Sequence, residues 1–352
     1  MSAFIYNSPA TRVLFGHGTR QRLKAEAERL NITRALVLST RNQHSQAELI
    51  GAALQERYAG SFADAAMHTP VGVTREAMLT VETQRIDGIV AVGGGSTIGL
   101  GKAIALRTGL PQLAIATTYS GSEMTPILGQ TENGVKTTLR AAEVQPDTVI
   151  YDVDLTLGLP VDISMASGLN AMAHAAEALY APDTNPIIDL MAQEGLRALA
   201  QALPTIKETP REHTARASAL YGAWLCGTCL GSVSMSLHHK LCHTLGGMFD
   251  LPHAAMHAVL LPYVIAYNRH GAAAAYERIA TALGANDAAA GLQALSQRIG
   301  IPASLQTLGM PYDGIETAAR QATVTQYCNP VAVTEKDVQA LLKKAWHGES
   351  LA

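Results

Sequence analysis

The sequence predicts two domains of different class: an α/β domain built on a parallel sheet over residues 1–155, and an all-helical domain over residues 156–352. Up to about residue 155, short apolar β-prone runs alternate with helical stretches, which is the pattern of βαβ units. From about Pro160 onward the β-branched clusters give way to alanine- and leucine-rich segments of helical period. The length of 352 residues also exceeds what a single core ordinarily serves and divides into two domains of common size.

Taken in order, Arg34–Ser39 (RALVLS), Gly88–Val92 (GIVAV), Leu113–Ala116 (LAIA) and Thr148–Tyr151 (TVIY) read as strands, because each is short, continuously apolar and mostly rich in β-branched residues. Amphipathic stretches such as Thr74–Gln84 read as the helices between them. Asp152–Leu159, closed by Pro160, is the expected join. Beyond it Ala166–Tyr180, Pro186–Leu203, His213–Leu230 and Leu237–Gly247 read as helices, with more to follow, and neither an internal repeat nor a low-complexity tail is visible.

Composition narrows the function classes. A hydrophobic share of 48% and a charged share of 16% fit a globular chain with a substantial core. Twenty-six basic residues against 29 acidic ones give a net charge of −3, with no dense basic run to track a phosphate backbone, so nucleic acid is not an expected partner. No stretch approaches the roughly 20 apolar residues of a membrane helix, and the opening MSAFIYNSPATRVLFGHG lacks a basic segment followed by an apolar one. No membrane association and a cytoplasmic location are therefore expected. Four cysteines make no disulfide framework; Cys226, Cys229, Cys242 and Cys328 are expected to be reduced and to lie within structured segments. The CGTC at 226–229 falls mid-helix with no second CxxC, and reads as buried packing in preference to a redox pair or half a zinc site.

Three motifs carry chemistry. Gly93-Gly94-Gly95-Ser96 directly follows the strand GIVAV and precedes a helical run that opens at Thr97. Such a turn lets backbone approach a ligand closely and aims helix amides at an anion, so Gly93, Gly94, Gly95, Ser96 and Thr97 are read as a pyrophosphate cradle, although the consecutive glycines are not the ordinary dinucleotide fingerprint. Thr117-Thr118-Tyr119-Ser120-Gly121-Ser122-Glu123 also lies past the carboxyl end of a strand, where ligands collect in α/β sheets; Thr117, Thr118, Ser120 and Ser122 are candidate nucleotide contacts, against the plainer reading of helix-capping hydroxyls. Third, His238, His239, His243, His253 and His257 fall within twenty residues, and the spacing of four in Asn170…His174 and His239…His243 puts each pair on one helix face. A lone histidine is usually a packing residue; a cluster of this density reads as a site.

In this order and over nearly the whole chain, these motifs resemble the iron-containing alcohol dehydrogenase family. The resemblance implies its fold, a Rossmann-like dinucleotide-binding domain joined to an all-helical domain as in dehydroquinate synthase-like proteins, and implies NADH or NADPH bound by the GGGS turn and the TTYSGSE segment. The family's metal ligands, one Asp and three His, map onto Asn170, His174, His239 and His253, so the anionic ligand is replaced by an amide. A family Asp is likewise replaced by Gly99. With GLNAMAHAAEALY, FGHGT and TTYSGSEMTPILGQTENGVKTT, both changes are similar to the metal-independent branch, the maleylacetate reductases. That branch reduces the carbon–carbon double bond of maleylacetate to give 3-oxoadipate in the breakdown of resorcinol-, hydroxyquinol- or chloroaromatic-type compounds.

A small dicarboxylate substrate, no metal and a homodimer are what the resemblance implies. His243 or His253 is expected to polarise the ketone or deliver the proton, with His174 and His239 lining the pocket. Asn170, Lys240, Lys136, Tyr119 and Arg140 are candidates for the substrate. After RALVLS come Ser39, Thr40 and Arg41, with no acidic residue to bind ribose hydroxyls, so Ser39 and Thr40 are expected to admit NADPH beside NADH. Two other readings compete: a metal-dependent alcohol or aldehyde dehydrogenase of the same family, since three histidines can hold zinc, and a nucleotide-binding regulatory protein whose catalytic site has decayed.

Overall fold

The computed structural model describes Phe4, Tyr6 and residues 11–351, so most of the opening segment inspected for a leader lies outside the described residues. The chain divides into two compact units, one ending at Leu159 and the other beginning at Pro160.

The first unit runs β1 (Arg12–Gly16), α1 (Leu23–Arg29), β2 (Ala35–Leu38), α2 (His44–Gly51), β3 (Tyr58–Phe62), α3 (Val71–Thr83), β4 (Gly88–Gly93), α4 (Gly95–Thr108), β5 (Gln112–Ala116), β6 (Ile127–Glu132), β7 (Val135–Arg140) and β8 (Thr148–Asp152). Six strands form one parallel sheet in the order β1-β8-β5-β4-β2-β3, while β6 and β7 make a separate antiparallel hairpin. Both faces of the sheet are covered. Ala35 and Val37 point into a core with Leu23, Ala27 and Ile50, whereas Leu36 and Leu38 point into a second core with Ala77, Val81 and Ile104. Double-sided burial is why the central strands are continuously apolar.

The four strands expected from the sequence are present, and their helices start a few residues earlier; α4 begins at Gly95, ahead of Thr97. Two further strands of the sheet lie outside those four. Both β1 and β3 are sheet edges and only part-buried, so neither needs a continuous apolar run. The hairpin turn uses Asn133 and Gly134, both with positive φ (51° and 76°), the pairing that a tight two-residue hairpin favours.

The second unit is helical: α5 (Val161–Ala178), α6 (Pro186–Glu208), α7 (His213–Ser232), α8 (Leu237–Phe249), α9 (His253–Asn268), α10 (Ala273–Leu283), α11 (Ala288–Ile299), α12 (Gly314–Thr323) and α13 (Glu335–His347). Helix α5 is buried almost all round over Ser164–Ala178, and is the axle on which its neighbours pack. Asn185 caps α6 by accepting from the amides of Ile187 and Ile188, and Pro186 fills the first helical position, where no amide donor is needed. No single helix among the described residues is long and apolar enough to cross a membrane.

Cys226, Cys229 and Cys242 are buried free thiols on α7 and α8, and burial pushes Cys229 up to about 12 and Cys226 well above the ordinary thiol range, so neither supplies a thiolate. Cys328 corrects the expectation made for it: it is exposed and lies in the loop between α12 and α13.

Helices α6 and α7 approach closely through glycines. A Cβ on Gly222 would stand 3.0 Å from the Gly195 carbonyl oxygen and 2.9 Å from Leu199 Cγ, contacts too short to relax cheaply. Gly222→Val should therefore lower unfolding free energy by about 1–3 kcal/mol through overpacking, measured by denaturant titration with the native fold checked by circular dichroism; an unchanged midpoint would refute this account of the α6–α7 contact.

Candidate functional site

In the first unit the turn from β4 to α4 is built by exclusion. A Cβ on Gly93 would lie 2.4 Å from Thr97 Oγ1, and one on Gly94 would lie 2.8 Å from Thr118 Oγ1. Glycine is therefore required where the two hydroxyl-bearing segments close on the turn. The Thr117 amide donates to the Gly93 carbonyl (3.1 Å), and Gln43 Nε2 donates to Thr117 Oγ1 (2.9 Å), so the strand ends of β4 and β5 are tied together. Gly94, Gly95 and Ser96 stay half-exposed at the start of α4, where first-turn amides and the helix dipole favour a phosphate.

The buried hydroxyls of Thr97 and Ser39 have no hydrogen-bond partner in the described structure. Unsatisfied buried donors beside a glycine cradle fit a polar ligand such as a dinucleotide. Gly99 is as constrained as the cradle: a Cβ there would meet Thr69 Oγ1 at 2.3 Å.

The TTYSGSE loop is held from beneath by Lys102. This fully buried ammonium donates to the carbonyls of Ser122 (2.6 Å), Thr125 (2.6 Å) and Ile127 (2.9 Å) and to Thr125 Oγ1 (2.8 Å). Burial pulls its pKa down to about 7 and Glu123 opposes the shift. Tyr119 is fully buried among these residues, Thr40 Oγ1 lies 3.5 Å from Gln43 Oε1, and Lys136 projects from β7 with its stem against Gly129.

In the second unit the histidines converge. His239 on α8 places Nδ1 2.6 Å from Glu177 Oε2, and its Nε2 lies 2.9 Å from His174 Nδ1 on α5; His174 Nε2 in turn faces Asn170 Nδ2 at 3.4 Å. All four groups are buried. Glu177 also accepts the amides of Ser236 (3.0 Å) and His238 (2.8 Å) at the start of α8. Donors surround the carboxylate, which fixes the tautomers down the line: His239 donates from Nδ1, His174 donates from Nδ1 to His239 Nε2, and Asn170 donates to His174 Nε2.

Beside this line His238 and His257 meet edge to face, 5.0 Å centroid to centroid, and His238 Nε2 donates to the His257 carbonyl (2.9 Å). His253, one turn before His257 on α9, lies 4.4 Å from its ring. His243 is 6.4 Å from His239 and exposed, and His253 is half-buried. Lys240 turns to a different neighbourhood, donating to Thr325 Oγ1 (2.8 Å) and lying 6.0 Å over the Tyr327 ring.

Burial decides the charge of the inner rings. Desolvation lowers His238 to about 4, His239 to about 3 and His257 well below its ordinary value, against the attraction of Glu177 for His238. The inner rings are neutral at neutral pH, so His239 meets Glu177 as a hydrogen-bond donor and not as an imidazolium. Burial raises the Glu177 pKa, and His238 and the α8 amides pull it back. Sequence reasoning passed over Glu177 and counted His257 in the histidine cluster without giving it a particular part. The signals were their spacings: Glu177 stands three residues after His174, and His257 four after His253, each on the same face as its partner.

Fold and residues together define a two-unit oxidoreductase of the dinucleotide-dependent class. A family model for iron-containing alcohol dehydrogenase matches residues 10–153, and one for the C-terminal part of the Fe-containing alcohol dehydrogenase family matches residues 164–346. The chain is 55% identical over 348 residues to a maleylacetate reductase of Rhizobium sp. (strain MTP-10005), covering 99% of each chain. It is 54% identical to one of Burkholderia cepacia, again covering 99% of each. It superposes on the crystal structure of a maleylacetate reductase from Agrobacterium tumefaciens with a TM-score of 0.96 and 53% identity over 99% of both chains. The chain belongs to the iron-containing alcohol dehydrogenase family.

Neutral buried histidines make folding pH-dependent with a definite sign. Their folded pKa values lie below the unfolded value of about 6.5, so the unfolded chain binds more protons between those values and stability falls as pH drops below about 6.5 toward 4. Each such ring contributes at most about 1.4 kcal/mol per pH unit. Chemical denaturation at pH 7 and pH 5 should show the loss, and a His238→Asn/His257→Asn variant should show a shallower slope; equal slopes would contradict the burial argument.

Proposed function

We propose that the chain is an NAD(P)H-dependent reductase that converts maleylacetate to 3-oxoadipate in the catabolism of aromatic compounds, and that it works without a metal ion. The activity is supported by full-length similarity at 50–55% identity to several maleylacetate reductases. The metal-free form is supported by the line Asn170–His174–His239–Glu177.

At the family's iron position the donors are an amide and neutral imidazoles, and two of the imidazoles spend their facing nitrogens on each other. The buried carboxylate nearby is taken up by Ser236, His238 and His239. Such a set is a poor match for ferrous iron, which favours anionic oxygen beside nitrogen. His238, His239 and His257 do bring ring nitrogens within 4.8 Å of one another, a softer set nearer to what zinc accepts, and this is the observation that keeps the metal-dependent alternative in the test.

When bound, the nicotinamide supplies a hydride to the alkene carbon distal to the ketone. The alkene electrons then become an enolate with its charge on the ketone oxygen, and a proton added to the carbon next to the ketone completes the saturated product. An enolate can be stabilised by hydrogen-bond donors where an alkoxide would call for a Lewis acid. His243 and His253 keep contact with solvent, and so can be resupplied with protons; we assign to one of them the polarisation of the ketone oxygen and to the other the proton. His174, His239 and Asn170 hold the pocket wall in one tautomeric arrangement, and Thr117, Thr118, Ser120, Ser122 and the GGGS turn hold the coenzyme. The cytoplasmic homodimer belongs to the same proposal and rests on the resemblance.

Consumption of NADH and NADPH should be followed with maleylacetate before and after exhaustive chelation, with metal content measured on untreated protein. Turnover that survives chelation is expected, with substoichiometric iron and zinc. Activity lost with the metal and restored by adding it back would establish the metal-dependent alternative, and coenzyme binding without turnover would favour a decayed site. His243→Gln and His253→Gln separate the two outer histidines: kcat should fall by about 10²–10⁴-fold for the residue that gives the proton, whereas effects confined to KM in both variants would remove them from the chemistry.

A further inference from the structure

A cavity of about 450 Å³ opens beside the carboxyl ends of β2 and β3, lined by Thr40, Arg41, Asn42, Asp64, Val73 and Glu76 among others. It is large enough for part of a small ligand. Strand β2 lies directly beside β4, whose end carries the glycine cradle, with Leu38 level with Ala91, and β3 lies beyond it, with Phe62 level with Leu38. A dinucleotide whose pyrophosphate rests at the start of α4 therefore runs its adenosine half along this edge, where the residues following β2 meet the ribose.

Within the cavity Arg41 Nε donates to the Asp64 carboxylate. The acidic residue missing after β2 is thus supplied by the segment after β3, and it arrives already paired with a cation. Both partners are solvent-exposed, Arg41 at 84% and Asp64 at 41%, so the pair is weak and can exchange partners.

We propose that Arg41 and Asp64 act together as the coenzyme selector, an inference that rests on the dinucleotide-dependent reading above. A ribose 2′-hydroxyl donates to Asp64 while Arg41 stays paired. A 2′-phosphate draws Arg41 away, because a guanidinium forms charge-assisted, often bidentate, hydrogen bonds to phosphate. Asp64 and Glu76 then repel that phosphate, so NADPH is admitted at a penalty that Asp64 sets.

The test is a binding titration of the intact enzyme with NADH and with NADPH, read by nicotinamide fluorescence without substrate, together with displacement by adenosine 2′,5′-bisphosphate. Arg41→Ala should weaken NADPH and the bisphosphate by tenfold or more and NADH by less than threefold, with Arg41→Lys intermediate. Asp64→Asn should tighten NADPH severalfold while weakening NADH. Equal shifts for both coenzymes, no shift, or no coenzyme binding would overturn the assignment. Because no substrate is present, a failure of maleylacetate turnover with these ratios moving as stated would count against the proposed reaction and leave the selector standing.

Discussion

The helical unit is organised around one buried anion, the Glu177 carboxylate at the start of α8. An isolated carboxylate costs several kcal/mol to bury, and here that cost is offset by the Ser236 and His238 amides, the His239 ring and the positive end of the α8 dipole. The same contacts satisfy amides that α8 would otherwise leave orphaned, because Ser236 makes no side-chain cap. A residue of α5 thereby sets where α8 begins, and with it the positions of His238, His239 and His243. Removing the carboxylate would leave buried donors unpaired, at about 1–3 kcal/mol each.

From that anchor the protonation pattern follows. Glu177 holds His239 by Nδ1, His239 holds His174 by Nε2, and His174 presents Nε2 to Asn170, so each ring has one tautomer compatible with its neighbours. Desolvation keeps the inner rings uncharged, which confines any imidazolium to the rings that water can reach. The cluster is therefore graded: an inner group buried and fixed by hydrogen bonds, and an outer pair, His243 and His253, in contact with solvent.

Much of this was legible in the residues. Continuously apolar strands announced the doubly covered sheet, the GGGS run marked the tightly packed turn from β4 to α4, and the density of histidines marked where rings converge. What stayed hidden shares one cause, dependence on a partner distant in sequence. The edge strands β1 and β3 are completed by β8 and β2, and their own apolar runs are short or broken. Glu177 looks like one more helix glutamate until α8 is brought against it, and Asp64 has no meaning until Arg41 reaches across from the neighbouring strand end. Lys240 shows the reverse error: its place beside His239 in the chain suggested a shared site, yet successive helix residues diverge by about a quarter turn, and its ammonium bonds Thr325.

The exchange of a family aspartate for Asn170 is best understood through the same hydrogen-bonded line. A carboxylate at this position, buried and facing the acceptor nitrogen of His174, would need either a proton or a cation between them, and a divalent metal is the natural answer. An amide carries its own donor. It completes the line without an added charge, and Glu177 remains as the compensated anion on the far side of His239. Under the proposed metal-free reading, losing the acidic ligand and dispensing with the metal would be one change, suited to a reaction whose transient charge is an enolate that a neutral, preorganised hydrogen-bonding wall can accommodate.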